Sequence, residues 1–131
     1  MKKFRTAVLL SSISWIPTIQ ADILATGPLG GDATQHYVVC YLFNAGTGSV
    51  NITTKSIYRY DPASTAPLTP LDEDTCTTAL KAGASCYIQK LIVNDRAHSC
   101  RVVVSPSAAD IRGRFEIRDQ NHFVLQGSDL R

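Results

Sequence analysis

Residues 36–43 read His36-Tyr37-Val38-Val39-Cys40-Tyr41-Leu42-Phe43, and residues 99–104 read Ser99-Cys100-Arg101-Val102-Val103-Val104. Both stretches are rich in β-branched and aromatic residues, which favour strands. Each carries one cysteine, and a disulfide between two such strands commonly crosses the core of a two-sheet sandwich. The two stretches therefore predict an all-β fold with a bridge between its sheets.

The first 21 residues contain the three parts of a secretory signal in the expected order. The N-terminal region is positively charged through Lys2, Lys3 and Arg5, and an apolar run follows it. Ala21 then ends a cleavage site of small residues. The apolar run is interrupted by serines and a proline, and it is shorter than the ~20 residues of a membrane span. We expect a signal peptide over residues 1–21, with Ala25 as a second possible site, and no stable membrane anchor after processing.

Removal of this signal changes the charge of the chain. Three of the 13 basic residues leave with it and none of the 11 acidic ones, so the formal net charge falls from +2 to −1. The remaining 110 residues, 22–131, have the length of one domain. A near-neutral domain lacks the basic surface that nucleic-acid binding requires, and we expect no nucleic-acid partner.

All four cysteines lie after the predicted signal, which favours two disulfides in an oxidising compartment. Four cysteines permit three pairings, of which we favour Cys40–Cys100 with Cys76–Cys86. The rival interpretation is a zinc site, but no pair shows the short spacing of structural zinc ligands. We expect neither metal nor cofactor, and a periplasmic or secreted location.

Short strand-like runs separated by turn residues fill residues 22–131, and no ten-residue segment shows a helical stripe. The alternation from Arg114 to Arg118 is the cleanest half-buried strand. This pattern predicts an immunoglobulin-like antiparallel sandwich of six or seven strands, with a small closed barrel as the alternative.

Several motifs add a family resemblance to this prediction: Cys40-Tyr41-Leu42-Phe43-Asn44-Ala45-Gly46, Val50-x-Ile52, Leu80-x-x-Gly83-x-Ser85-Cys86 and Ala97-His98-Ser99-Cys100-Arg101. They resemble patterns in bacterial exported immunoglobulin-like domains. Over its whole length after the predicted signal, the chain is similar to small secreted proteobacterial proteins of unknown function. The resemblance implies the sandwich fold for residues 22–131 and supplies no catalytic or ligand residues.

Three histidines are the main candidates for chemistry, and each lies near a predicted strand end beside a turn: His36, His98 and His122. Ser99 or Ser105 could pair with one of them as nucleophile and base, but the sequence contains neither a G-x-S-x-G elbow nor an oxyanion-hole motif. We therefore predict exposed histidines and no catalytic residues. A small secreted hydrolase or enzyme inhibitor without a recognisable motif is the alternative function.

The residues beside Cys40 predict a binding face. If Cys40 points into the core, strand parity turns the alternate residues outward. These are Tyr37, Val39, Tyr41 and Phe43. A monomer does not usually leave such a row in water, so either the lead-in Asp22–Gln35 or a partner covers it. We expect a non-enzymatic binding or structural domain whose partner is another protein or a cell-surface glycan.

Overall fold

The computed structural model describes residues 20–92 and 96–131. Residues 1–19 of the predicted signal peptide therefore lie outside the described residues. Ten strands form in this part, seven of them four or more residues long and no helix among them. Their bounds are β1 Asp22–Ala25, β2 Leu29–Gly30, β3 Tyr37–Asn44, β4 Val50–Arg59, β5 Glu73–Asp74, β6 Ala79–Leu80, β7 Ser85–Leu91, β8 Ala97–Ser105, β9 Ile111–Arg118 and β10 Val124–Asp129.

The strands form two antiparallel sheets that face each other. Sheet A has the order β1-β8-β4-β6, with β2 also paired to β8. Sheet B has the order β10-β9-β3-β7-β5. The predicted all-β sandwich is confirmed.

The central pairings match those of immunoglobulin domains, whereas the terminal strands change places. Strands β3 and β7 pair as B and E do, β4 and β8 pair as C and F do, and the long disulfide joins β3 to β8 as it joins B to F. The last long strands, β9 and β10, extend the sheet beside β3, where strand A normally lies. The first strand, β1, lies beside β8, where strand G normally lies.

Alternate residues of β3 and β8 fill the core, as strand parity predicts. None of these side chains is more than 1% exposed: Val38, Cys40, Leu42, His98, Cys100, Val102 and Val104. Phe115 and Ile117 of β9 join them. The alternation that predicted a half-buried strand at Arg114–Arg118 is confirmed, although β9 begins three residues earlier.

Both predicted disulfides are present. Cys40–Cys100 joins the two sheets with a Cα–Cα distance of 6.2 Å. Cys76–Cys86 joins the segment after β5 to β7, with a Cα–Cα distance of 4.9 Å. The two bridges fit an oxidising compartment.

Both lateral openings of the sandwich are closed by contacts between the sheets. On one side, Ala25 and Arg131 exchange two backbone hydrogen bonds of 3.0 and 3.1 Å. On the other, the Lys55 ammonium of β4 lies 2.7 Å from the carboxylate of Asp74 in β5 and also donates to the Cys76 carbonyl. The first contact ties the chain after β10 to β1, and the second ties β5, at the other edge of sheet B, to β4.

Strand β1 also bears on the predicted processing site. Asp22 pairs with Val104, and its carboxylate accepts a hydrogen bond of 2.8 Å from the Ala108 backbone N–H. Leu24 reaches the core. Cleavage at the second predicted site, after Ala25, would remove this strand from sheet A.

Candidate functional site

The outer face of sheet B presents the predicted binding row in an ordered grid. The pairing of β3 with β7 and β9 places each residue of the row between one residue of each neighbour. Tyr41, for example, lies between Tyr87 of β7 and Arg114 of β9. We call this surface the B face, and its members are Tyr37, Val39, Tyr41, Phe43, Glu73, Tyr87, Gln89, Leu91, Arg112, Arg114, Glu116, Arg118, Val124, Gly127 and Asp129.

The centre of the B face is braced by aromatic and charged contacts. The rings of Tyr41 and Tyr87 lie 5.7 Å apart in a tilted arrangement. The Arg118 guanidinium lies 5.5 Å from the centre of the Tyr41 ring, within the range of a cation–π contact. The Tyr87 hydroxyl donates a 2.5 Å hydrogen bond to Glu73, and this carboxylate raises the pKa of Tyr87. These side chains are thus held in one arrangement.

Glu116 anchors the two arginines of the B face. Its side chain is 12% exposed, and its carboxylate accepts from Arg114 Nε at 3.0 Å and from Arg118 Nη2 at 2.6 Å. Arg114 also reaches Asp129 at 3.3 Å, and hydrogen bonds to Glu116 raise the pKa of Arg114. Gly127 makes room for this arrangement, because a Cβ there would lie 2.6 Å from the Arg114 guanidinium. Glu116 therefore pairs with both arginines at once.

The cover over the row comes from β9 and the turn after it. The lead-in Asp22–Gln35, one of the two covers considered, places its strands β1 and β2 beside β8 in sheet A rather than over the row. Val39 is only 1% exposed although it points outward. The residue that pairs with Val39 on β9 is Glu116, and the ion pair between Glu116 and Arg118 lies beside Val39.

One end of the B face is more apolar. The His122 ring stacks on Tyr37 with centroids 4.6 Å apart and planes at 10°. His122 has a positive φ of 65° and lies in the turn before β10, which begins at Val124. Leu91 pairs with Tyr37, and three further apolar residues follow His122 in the chain. These four side chains are 41 to 69% exposed: Leu91, Phe123, Val124 and Leu125. Phe43, at the opposite end of the row, is 43% exposed.

His98 is buried, against the prediction of an exposed strand-end residue. It lies in β8 between Leu29 of β2 and Arg59 of β4, and it points to the core face with Cys100, so it is 0% exposed. Neither ring nitrogen makes a hydrogen bond of normal geometry within the described residues. Burial lowers the pKa of His98 to about 4, and the neighbouring Arg59 charge adds to this, whereas a weak contact with the Arg96 backbone opposes it. His98 is therefore neutral at pH 7.

A cleft of about 490 Å³ at this end of sheet A is lined by His98, Ser99 and Asp61, the combination that a hydrolase would need. Successive strand residues point to opposite faces, so Ser99 points outward while His98 points into the core. The Asp61 carboxylate accepts from the Ala63 backbone N–H at 3.0 Å and from Arg59 at 3.3 Å. These three residues share a cleft without forming the hydrogen-bonded chain of nucleophile, base and acid.

The described residues contain no cluster of three metal-ligating side chains. Within the same part of the chain, no helix is long and apolar enough to cross a membrane. Comparison with protein-family models, curated proteins and solved structures found no match.

Sequence reasoning found the β3 row but missed its partners on β7. Tyr87 and Leu91 share strand parity with Ser85 and therefore point to the same face. This parity was readable, because Cys86 lies in a predicted disulfide and must point inward. The pairing of β7 with β3, which places Tyr87 beside Tyr41, is a long-range contact that the pattern does not contain.

Proposed function

We propose that this protein is an exported, non-enzymatic binding module that contacts another protein through the B face. The predicted signal peptide and the two disulfides support export to the periplasm or medium. The likeness to small secreted proteobacterial proteins is consistent with this proposal and stays a prediction.

The composition of the B face is the observation that carries the proposal. Tyrosine and arginine are enriched at protein interfaces, where they form most of the energetically dominant contacts. Here Tyr41, Tyr87 and Arg118 lie together at the centre of the sheet. Phe43 and Leu91 add exposed apolar surface at the two ends.

The bracing of these side chains favours binding further. Ordering a long side chain at an interface costs about 0.5–1.5 kcal/mol. Contacts within the B face already order Arg114 and Arg118, so a partner meets a pre-formed surface. The Arg118 guanidinium occupies one side of the Tyr41 ring. That position hinders stacking of a sugar on this ring and favours a protein as the partner.

Site-specific photocrosslinking tests the proposal in the cells that export the protein. We expect p-benzoylphenylalanine in place of Phe43 or Tyr87 to give one discrete protein adduct, because both residues lie on the B face. The matched control is the same group in place of Thr54, an exposed residue of β4 in sheet A. The adduct should be absent at Thr54. Equal adducts at all three positions, or none at Phe43 and Tyr87, would contradict the proposal.

A further inference from the structure

The cleft beside β4 and β8 is separate from the B face and has its own chemistry. Its volume of about 490 Å³ lies in the range of small-molecule sites, about 300–1,000 Å³. Flat apolar surfaces come from the Tyr60 ring, which is 60% exposed, and from Pro28 and Pro62. Five of the lining residues carry a hydroxyl group: Tyr58, Tyr60, Ser64, Thr65 and Ser99.

The charged groups of the cleft disfavour an ionic ligand. The Asp61 carboxylate lies 3.3 Å from Arg59 Nη2 and 3.9 Å from Arg96 Nη1, so both signs are present and paired. The Ala63 backbone N–H keeps the pKa of Asp61 below its usual range, so this residue stays ionised at neutral pH. An anion would meet this carboxylate, and a cation would meet the guanidinium groups.

The same groups suit a neutral ligand that both donates and accepts hydrogen bonds. A carboxylate has about four acceptor positions and a guanidinium five donors, more than the contacts within the cleft use. The Ser64 oxygen accepts from the Ala66 N–H, which leaves its hydroxyl hydrogen to donate. Vicinal hydroxyls of a sugar match this mixture, and its apolar ring face matches the exposed side of Tyr60.

The backbone around the cleft is held in place. The Tyr60 N–H donates to the Ala97 carbonyl at 2.7 Å, and the Ser64 N–H donates to the Asp61 carbonyl at 3.1 Å. Tyr58 pairs with Pro67, which fixes the far end of the same loop. We propose that this cleft binds a neutral saccharide unit, with the sugar ring on Tyr60 and its hydroxyls on the Arg59–Asp61 pair and the surrounding hydroxyl groups.

Titration followed by amide NMR tests this site, with chitotetraose, cellotetraose and maltotetraose as neutral probes and tetragalacturonate as the charged comparison. We expect at least one neutral probe to shift the resonances of Tyr60 and Ser64. Tyr60→Ala should weaken that binding at least about tenfold, since hot-spot aromatics have effects of this size. Tyr60 is exposed, so this variant should fold. The control Tyr87→Ala, on the B face, should bind normally.

Three outcomes would overturn the proposal. The first is that no neutral probe shifts any resonance at about 10 mM, a concentration at which even weak binding is detected. The second is that Tyr60→Ala binds the probe as well as the wild type does. The third is that only tetragalacturonate binds. None of them bears on the protein-binding face, because the crosslinking positions lie on the other sheet.

Discussion

Replacing Cys40 and Cys100 together with alanine is expected to lower the free energy of unfolding by about 4 kcal/mol, the loop-closure value for a bridge spanning 60 residues. Both cysteines are 1% exposed and lie in opposite sheets, so the bridge also fixes how the sheets face each other. A loss of this size is a large fraction of the 5–15 kcal/mol by which domains are usually stable. Urea unfolding of the oxidised protein and the variant measures it.

The second disulfide provides the matched control for this prediction. Cys76→Ala with Cys86→Ala opens a loop of only 10 residues, for which the same model gives about 3 kcal/mol. The variant lacking the Cys40–Cys100 bridge should therefore be the less stable of the two. A larger loss from opening the short bridge would contradict the role assigned to the long one.

The stability of the protein is expected to fall by about 3 kcal/mol between pH 7 and pH 4 through His98 alone. The pKa of this residue falls from its ordinary value of 6.5 to about 4 in the folded state. Above the unfolded pKa, His98 is neutral in both states and contributes no pH dependence. As the pH falls from 6.5 towards 4, the unfolded chain takes up the proton first, and stability is lost.

A His98→Leu variant isolates this contribution, because it removes the titrating group from the core. Urea unfolding at several pH values gives the free energy of unfolding of the wild type and of the variant. The difference between the two should change by about 3 kcal/mol between pH 7 and pH 4. His122→Leu is the control, since His122 lies in a turn outside the core. A pH-independent difference between wild type and His98→Leu would contradict the burial of a neutral imidazole.

Strand parity carried most of the fold that could be predicted from the sequence. Once Cys40 and Cys100 were assigned to the core, the inward faces of β3 and β8 followed from the two-residue period alone. The short bridge was also predictable, because Cys76 and Cys86 flank a single turn. Local patterns were sufficient for these features since each depends on neighbours in the chain.

The surroundings of the row could not be predicted in this way, because they depend on strand order. The sequence does not reveal that β9 pairs with β3 while β1 joins the other sheet. That exchange brings Arg118 over Tyr41 and pairs the lead-in strands β1 and β2 with β8 in sheet A. His98 was misassigned because its position near a strand end was given more weight than its parity with Cys100, which already places it on the inward face. A residue at the start of a strand is exposed at a sheet edge, but β8 lies between β1 and β2 on one side and β4 on the other.

Hydroxyl-radical footprinting in the compartment that holds the protein, compared with the purified protein, tests the binding face most directly. Tyr87 and Leu91 should be oxidised less in the compartment than in the purified protein, since a partner on the B face would shield both. Oxidation of Ile23, which is 53% exposed on β1 of sheet A, should be the same in both samples. Unchanged oxidation of Tyr87 and Leu91, or equal protection of Ile23, would contradict a partner on the B face.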